Sequence, residues 1–83
     1  VCHELLMVKV SARPEQRQGI ISIADIFHAK VVDVSKESLI LEMTGTHNKL
    51  EAFIDLMKDY EILEMARTGV TGLSRGSDDV TFL

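Results

Sequence analysis

The sequence predicts a small α+β sandwich, an antiparallel sheet with two helices on one face. Three observations lead there. Four short runs of strand character and two segments of helical spacing succeed one another in the order β-α-β-β-α-β. The two helical stripes, Ile20/Ile23/Ala24/Phe27 and Leu50/Phe53/Ile54/Met57, share one internal spacing and stand thirty residues apart, so the chain reads as two βαβ halves. With 83 residues, 46% hydrophobic and 27% charged, the chain has globular proportions and room for one domain. This order is that of the ferredoxin-like sandwich.

Each element has a local reason. Glu4–Val10 is a strand that Ser11, Ala12, Arg13 and Pro14 break. Pro14 has the fixed φ of a first helical turn and gives up only an N–H that would be unpaired there. Gly19 weakens the first helix by about 1 kcal/mol relative to Ala. Lys30–Val34 alternates and is β-branched, as strands are. Ser35–Ser38 is a polar turn, and Leu39–Thr44 returns. Gly45 ends that strand and Thr46 is placed to cap the second helix. Glu61–Ala66 is the last strand. The domain is expected to span residues 1–76, with residues 77–83 as a tail.

Alternation sets the faces. Leu6, Val8 and Val10 oppose Leu5 and Met7; Leu39, Leu41 and Met43 oppose Ile40; Leu63 and Met65 oppose Ile62. Two helices cover only one face, so apolar side chains are expected on the other, where a contiguous patch favours association. Singly scattered apolar residues would need no such explanation. Size points the same way, because a domain this small buries only about 60% of the surface its unfolded chain exposes.

Composition excludes several functions. A formal charge of −4, with three Phe, one Tyr and no Trp, makes a poor candidate for phosphate-backbone binding, which needs clustered cations. One cysteine, Cys2, leaves no internal disulfide and fits a reducing compartment. The longest apolar run, Leu5–Val8, is far short of the roughly 20 residues of a membrane span. No signal peptide is visible, which points to the cytoplasm, and a first residue other than Met points to a piece of a longer protein.

No catalytic set can be assembled. His3, His28 and His47 have no i, i+4 partner among themselves, and Cys2 has no second cysteine, so metal binding is not indicated. They read as solvated or locally hydrogen-bonded. Glu51, Asp55 and Asp59 recur on the second helix opposite its apolar stripe and read as a water-facing row; Asp78 and Asp79 have no evident acid–base partner. The serines show no nucleophile elbow, and no dinucleotide or P-loop fingerprint is present. Gly69-Val70-Thr71-Gly72-Leu73-Ser74-Arg75-Gly76 follows a strand, but no helix follows it to complete an anion site. Framed by Arg67 and Arg75, the segment is a candidate docking element, and Arg67, Thr68, Gly69, Gly72, Arg75 and Gly76 are its candidate residues.

Several stretches resemble the C-terminal domain of the acetolactate synthase (acetohydroxyacid synthase) small, regulatory subunit. They are Glu4–Val10, Ile26–Ser35, Glu42–Thr46, Lys49–Phe53 and, most specifically, Glu64-Met65-Ala66-Arg67-Thr68-Gly69-Val70-Thr71-Gly72-Leu73-Ser74-Arg75-Gly76. The resemblance implies a non-catalytic module that supports dimerisation and activates a catalytic subunit. That partner would carry thiamine diphosphate, magnesium and a flavin (FAD), and would catalyse the first shared step toward valine, leucine and isoleucine. No cofactor is expected in this chain. The family's effector site lies in an N-terminal ACT domain that this sequence does not match. Two rival readings are an ACT-like amino-acid sensor that binds a branched-chain effector between protomers, and a metal-responsive domain using His3, His28, His47 or Cys2.

Overall fold

The computed structural model describes residues 2–68 and 71–72. Its elements are β1 (Cys2–Ser11), α1 (Pro14–Phe27), β2 (Lys30–Val34), β3 (Ser38–Gly45), α2 (His47–Met57), β4 (Ile62–Arg67) and β5 (Thr71–Gly72). The sheet runs β2-β3-β1-β4, antiparallel throughout, and β5 pairs with the start of β1. This is the ferredoxin-like α+β order that the sequence predicts.

The helix ends follow from their residues. Pro14 opens α1, and the Arg13 N–H donates to Gln16 Oε1 at 3.1 Å while the Gln16 N–H returns to the Arg13 carbonyl at 2.8 Å. α1 ends with His28 in the left-handed region at φ 58°, where the Ala29 N–H reaches back to the Ala24 carbonyl at 2.8 Å. Thr46 Oγ1 accepts from the Lys49 N–H at 3.3 Å and caps α2.

The core lies between the helices and one sheet face. β1 supplies Leu6, Val8 and Val10, and β3 supplies Leu39, Leu41 and Met43. Ile20 and Ala24 come from α1; all four predicted positions of α2, Leu50, Phe53, Ile54 and Met57, are buried. Ile23 and Phe27 are partly buried against them, and the Phe27 and Phe53 rings meet edge to face at 5.4 Å. Gly19 has a packing reason: a Cβ there would stand 2.5 Å from the Tyr60 hydroxyl.

Three sequence expectations are corrected. β1 is longer than Glu4–Val10, so His3 lies inside the strand rather than before it. β4 begins and ends one residue later than Glu61–Ala66, because Arg67 pairs with Leu6. The third concerns faces. The β1–β4 register slips between Lys9 and Val10, setting Ile62 opposite Val10 and Met65 opposite Val8. Ile62 and Met65 therefore share the helix-bearing face, and Leu63 is the extra residue of a bulge, which alternation cannot foresee. β2 slips in the same way around Val32, so Val31 and Val34 also belong to the helix-bearing face.

The bulges matter because β2 and β4 are the sheet edges, beyond the cover of the helices. Met65 is 48% exposed and Val34 60% exposed on the face whose central residues are fully buried. Of the eight large hydrophobics exposed among the described residues, only Met7 lies on a central strand; Val31, Val32, Val34, Leu63 and Met65 lie on the edges, and Ile26 and Leu56 on the helices. Apolar surface thus lies mainly along two flanks, with a smaller strip on the open face.

Candidate docking site

The one buried charged side chain among the described residues is Glu4, 4% exposed. It shares the helix-bearing side of β1 with Leu6, Val8 and Val10, two residues before Leu6. A carboxylate in that position requires partners. The register supplies one, since Leu6 stands opposite Arg67. Arg67 Nη2 donates to both Glu4 oxygens at 3.0 Å each. Nη1 turns to α2 and donates to Glu51 Oε2 at 2.5 Å. His47, one helical turn before Glu51, places Nδ1 3.0 Å from Glu4 Oε2. That nitrogen also lies 3.3 Å from Arg67 Nη2. It does not accept from Arg67 and donate to Glu4 at once; the shorter contact and the anionic acceptor assign the proton to Nδ1, donating to Glu4.

The electrostatics follow the contacts. The hydrogen bond from Arg67 holds the Glu51 carboxyl below the usual carboxylate range; partial desolvation opposes this, while the charges of Arg67, His47 and Lys58 add to it. The hydrogen bond to Glu51 raises Arg67 further above its already high value. Arg67 is thus a cation tied to two carboxylates on two different elements.

Thr68, the next residue, stays beside β1. The Thr68 N–H donates to the Leu5 carbonyl at 3.0 Å, and the Leu5 N–H donates to Thr68 Oγ1 at 3.0 Å. Thr71 and Gly72 then stand opposite His3 and Cys2. Of the six candidate docking residues, Arg67, Thr68 and Gly72 therefore line up along β1, and Arg67 turns its guanidinium inward. Gly69, Arg75 and Gly76 lie outside the described residues, as do Asp78 and Asp79.

A shallow hollow of about 300 Å³ lies on the open face, bordered by Met7, Ile40, Ala66 and the Lys9–Glu64 ion pair at 3.7 Å. Met65 of β4 borders it too, so the hollow meets one apolar flank. Next to it, sharing Lys9, a wider cleft is lined by Arg13, Lys36, Glu37 and Glu61 among others. His28 is exposed at the end of α1. Among the described residues no group of three or more His, Cys, Asp or Glu is disposed to hold a metal ion. No helix among them is long and apolar enough to cross a membrane.

A family model described as the small subunit of acetolactate synthase matches residues 3–76. The chain belongs to that family. The acetolactate synthase small subunit of Bacillus subtilis is 47% identical over 77 residues, which is 93% of this chain and 45% of that protein. The small subunit of Mycolicibacterium smegmatis is 49% identical over 76 residues, 92% of this chain and 45% of that protein. The crystal structure of the Thermotoga maritima small subunit superposes with a TM-score of 0.81 at 38% identity, covering 94% of this chain and 48% of that one. The chain spans less than half the length of these small subunits.

Sequence reasoning missed the roles of Glu4, His47 and Glu51 in this small-subunit domain. Two signals were present: Glu4 stands in the alternation of buried residues, and His47 and Glu51 are i, i+4 on one helix face. What was missing was the pairing across 63 residues that brings Arg67 to Glu4.

Proposed function

We propose that this chain is a non-catalytic, regulatory interaction module of acetolactate synthase. In this reading it supports dimerisation of the small subunit and activates the catalytic subunit in branched-chain amino-acid biosynthesis, in the cytoplasm. The observation that supports it most is an apolar flank on a closed domain. Leu63 and Met65 stay exposed on β4, and Met65 lies within Glu64–Gly76, the stretch that most specifically resembles the family. An exposed hydrophobic margin on a folded domain is the anatomy of an interface. The second flank, Val31 and Val34 on β2, is the surface assigned to a second copy.

Activation is a coupling of equilibria. The module shifts the catalytic subunit only as far as it binds the active arrangement more tightly than the inactive one. In this reading thiamine diphosphate, magnesium and FAD belong to the catalytic partner, and none is assigned to this chain. A branched-chain effector likewise binds elsewhere in the small subunit, so calorimetry of this chain with valine, leucine or isoleucine gives no saturable heat. Saturable heat would move the assignment to an amino-acid sensor.

The direct test follows acetolactate formation by the cognate catalytic subunit with and without the intact small subunit. The intact small subunit raises the rate, and Arg75→Ala lowers that activation while leaving the fold unchanged by circular dichroism. An unchanged rate on adding the wild-type small subunit would remove the reading.

A further inference from the structure

Arg67 reaches out of β4 to two other elements at once, and this gives it a role different from that of a contact residue. We infer that Arg67 is a positioning residue: it ties the end of β4 to β1 and α2 and so sets Thr68, Thr71 and Gly72 beside β1. The strand it ends needs such a tie. β4 is an edge strand, six residues long, and its register with β1 is already broken by the bulge at Leu63. An edge strand is held on one side only. At its last residue one guanidinium grips both oxygens of Glu4 on β1 and, with its other arm, Glu51 on α2.

The buried partner makes the tie directional. Glu4 has no exposed position available to it, so Arg67 is drawn to the sheet rather than to solvent. The next residue registers the result, because Thr68 and Leu5 exchange two hydrogen bonds of 3.0 Å. Thr71 and Gly72 continue along His3 and Cys2. A lysine carries the same charge but offers one compact ammonium in place of a planar fork, and does not span Glu4 and Glu51 together. The consequence for binding rests on the docking reading: a partner meets the residues that Arg67 places, not its guanidinium.

Hydrogen exchange of the intact small subunit tests the positioning role without reference to any partner. Arg67→Lys speeds exchange of the Leu5 and Thr68 amides about tenfold relative to wild type, while the β3 amides of the central sheet keep their protection. Glu51→Gln, which removes only the α2 arm, produces a smaller change in the same two amides. Wild-type exchange at Leu5 and Thr68 in both variants would overturn the inference. Association with the catalytic subunit supplies the second arm. Glu4 is buried and beyond the reach of a partner, so Glu4→Gln weakens association as Arg67→Ala does. Weakening by Arg67→Ala with wild-type association of a folded Glu4→Gln would make Arg67 a contact residue and overturn the positioning role. Absence of association by the wild-type small subunit counts against the docking reading, and the exchange result then decides the positioning role by itself.

Discussion

Glu51 and Glu4 share one cation but live in different surroundings. Glu4 is enclosed, while Glu51 is about half exposed on α2. The Glu51 ion pair is therefore screened by water and salt, and its worth is that of a surface pair. Its pH dependence has a definite sign. Because the hydrogen bond from Arg67 depresses the folded-state pKa of Glu51 below the ordinary glutamate value, the contribution is fully present above the unfolded value and is lost as pH falls through the folded one. The urea midpoints of wild type and Glu51→Gln are thus expected to differ at pH 7 and to converge in acid. A difference that widens below pH 4.5 would contradict the assignment of Arg67 as the group that stabilises the Glu51 anion. Residue-scale reading of the sequence reached the carboxylate row of α2 but not this pairing, since nothing local to Glu51 points to a strand sixteen residues later.

At the scale of elements, periodicity carried much of the fold. The stripe of α2 was legible in full because all four of its apolar positions are buried, and the alternation of β1 and β3 was legible because both are central strands with one covered face. β4 was read in place but with its faces misassigned, because a single bulged residue, Leu63, shifts the register without altering composition; Val32 bulges β2 in the same way. Gly19 shows the same limit in a helix. Its cost in α1 was readable from propensity; the close approach of Tyr60 was not, because Tyr60 comes from beyond α2. The two effects separate in a double-mutant cycle. Gly19→Ala in wild type meets the Tyr60 hydroxyl, so the helical gain is offset. In a Tyr60→Phe background the nearest ring atom is 3.6 Å away, an ordinary contact, and Gly19→Ala is expected to stabilise by about 1 kcal/mol in thermal or urea unfolding. Equal effects of Gly19→Ala in both backgrounds would contradict the packing assignment.

At the scale of the molecule, the helices close the core over the two central strands and leave the edges of the same face uncovered. The candidate site sits where one such edge ends. Leu63 and Met65 form the flank, Arg67 anchors its end, and Thr68 directs the chain onto β1. The resemblance of Glu64–Gly76 was legible in the sequence; the inward turn of Arg67 was not, because it depends on a buried carboxylate from the other end of the chain. On the docking reading, this β4 flank meets the catalytic subunit. Sedimentation velocity of the intact small subunit titrated with its catalytic subunit measures this directly, comparing wild type with Met65→Glu and with Val34→Glu on the far flank. Met65→Glu is expected to weaken association about tenfold, through the loss of one apolar anchor, and Val34→Glu to leave it at the wild-type level. Wild-type association of a folded Met65→Glu would contradict it.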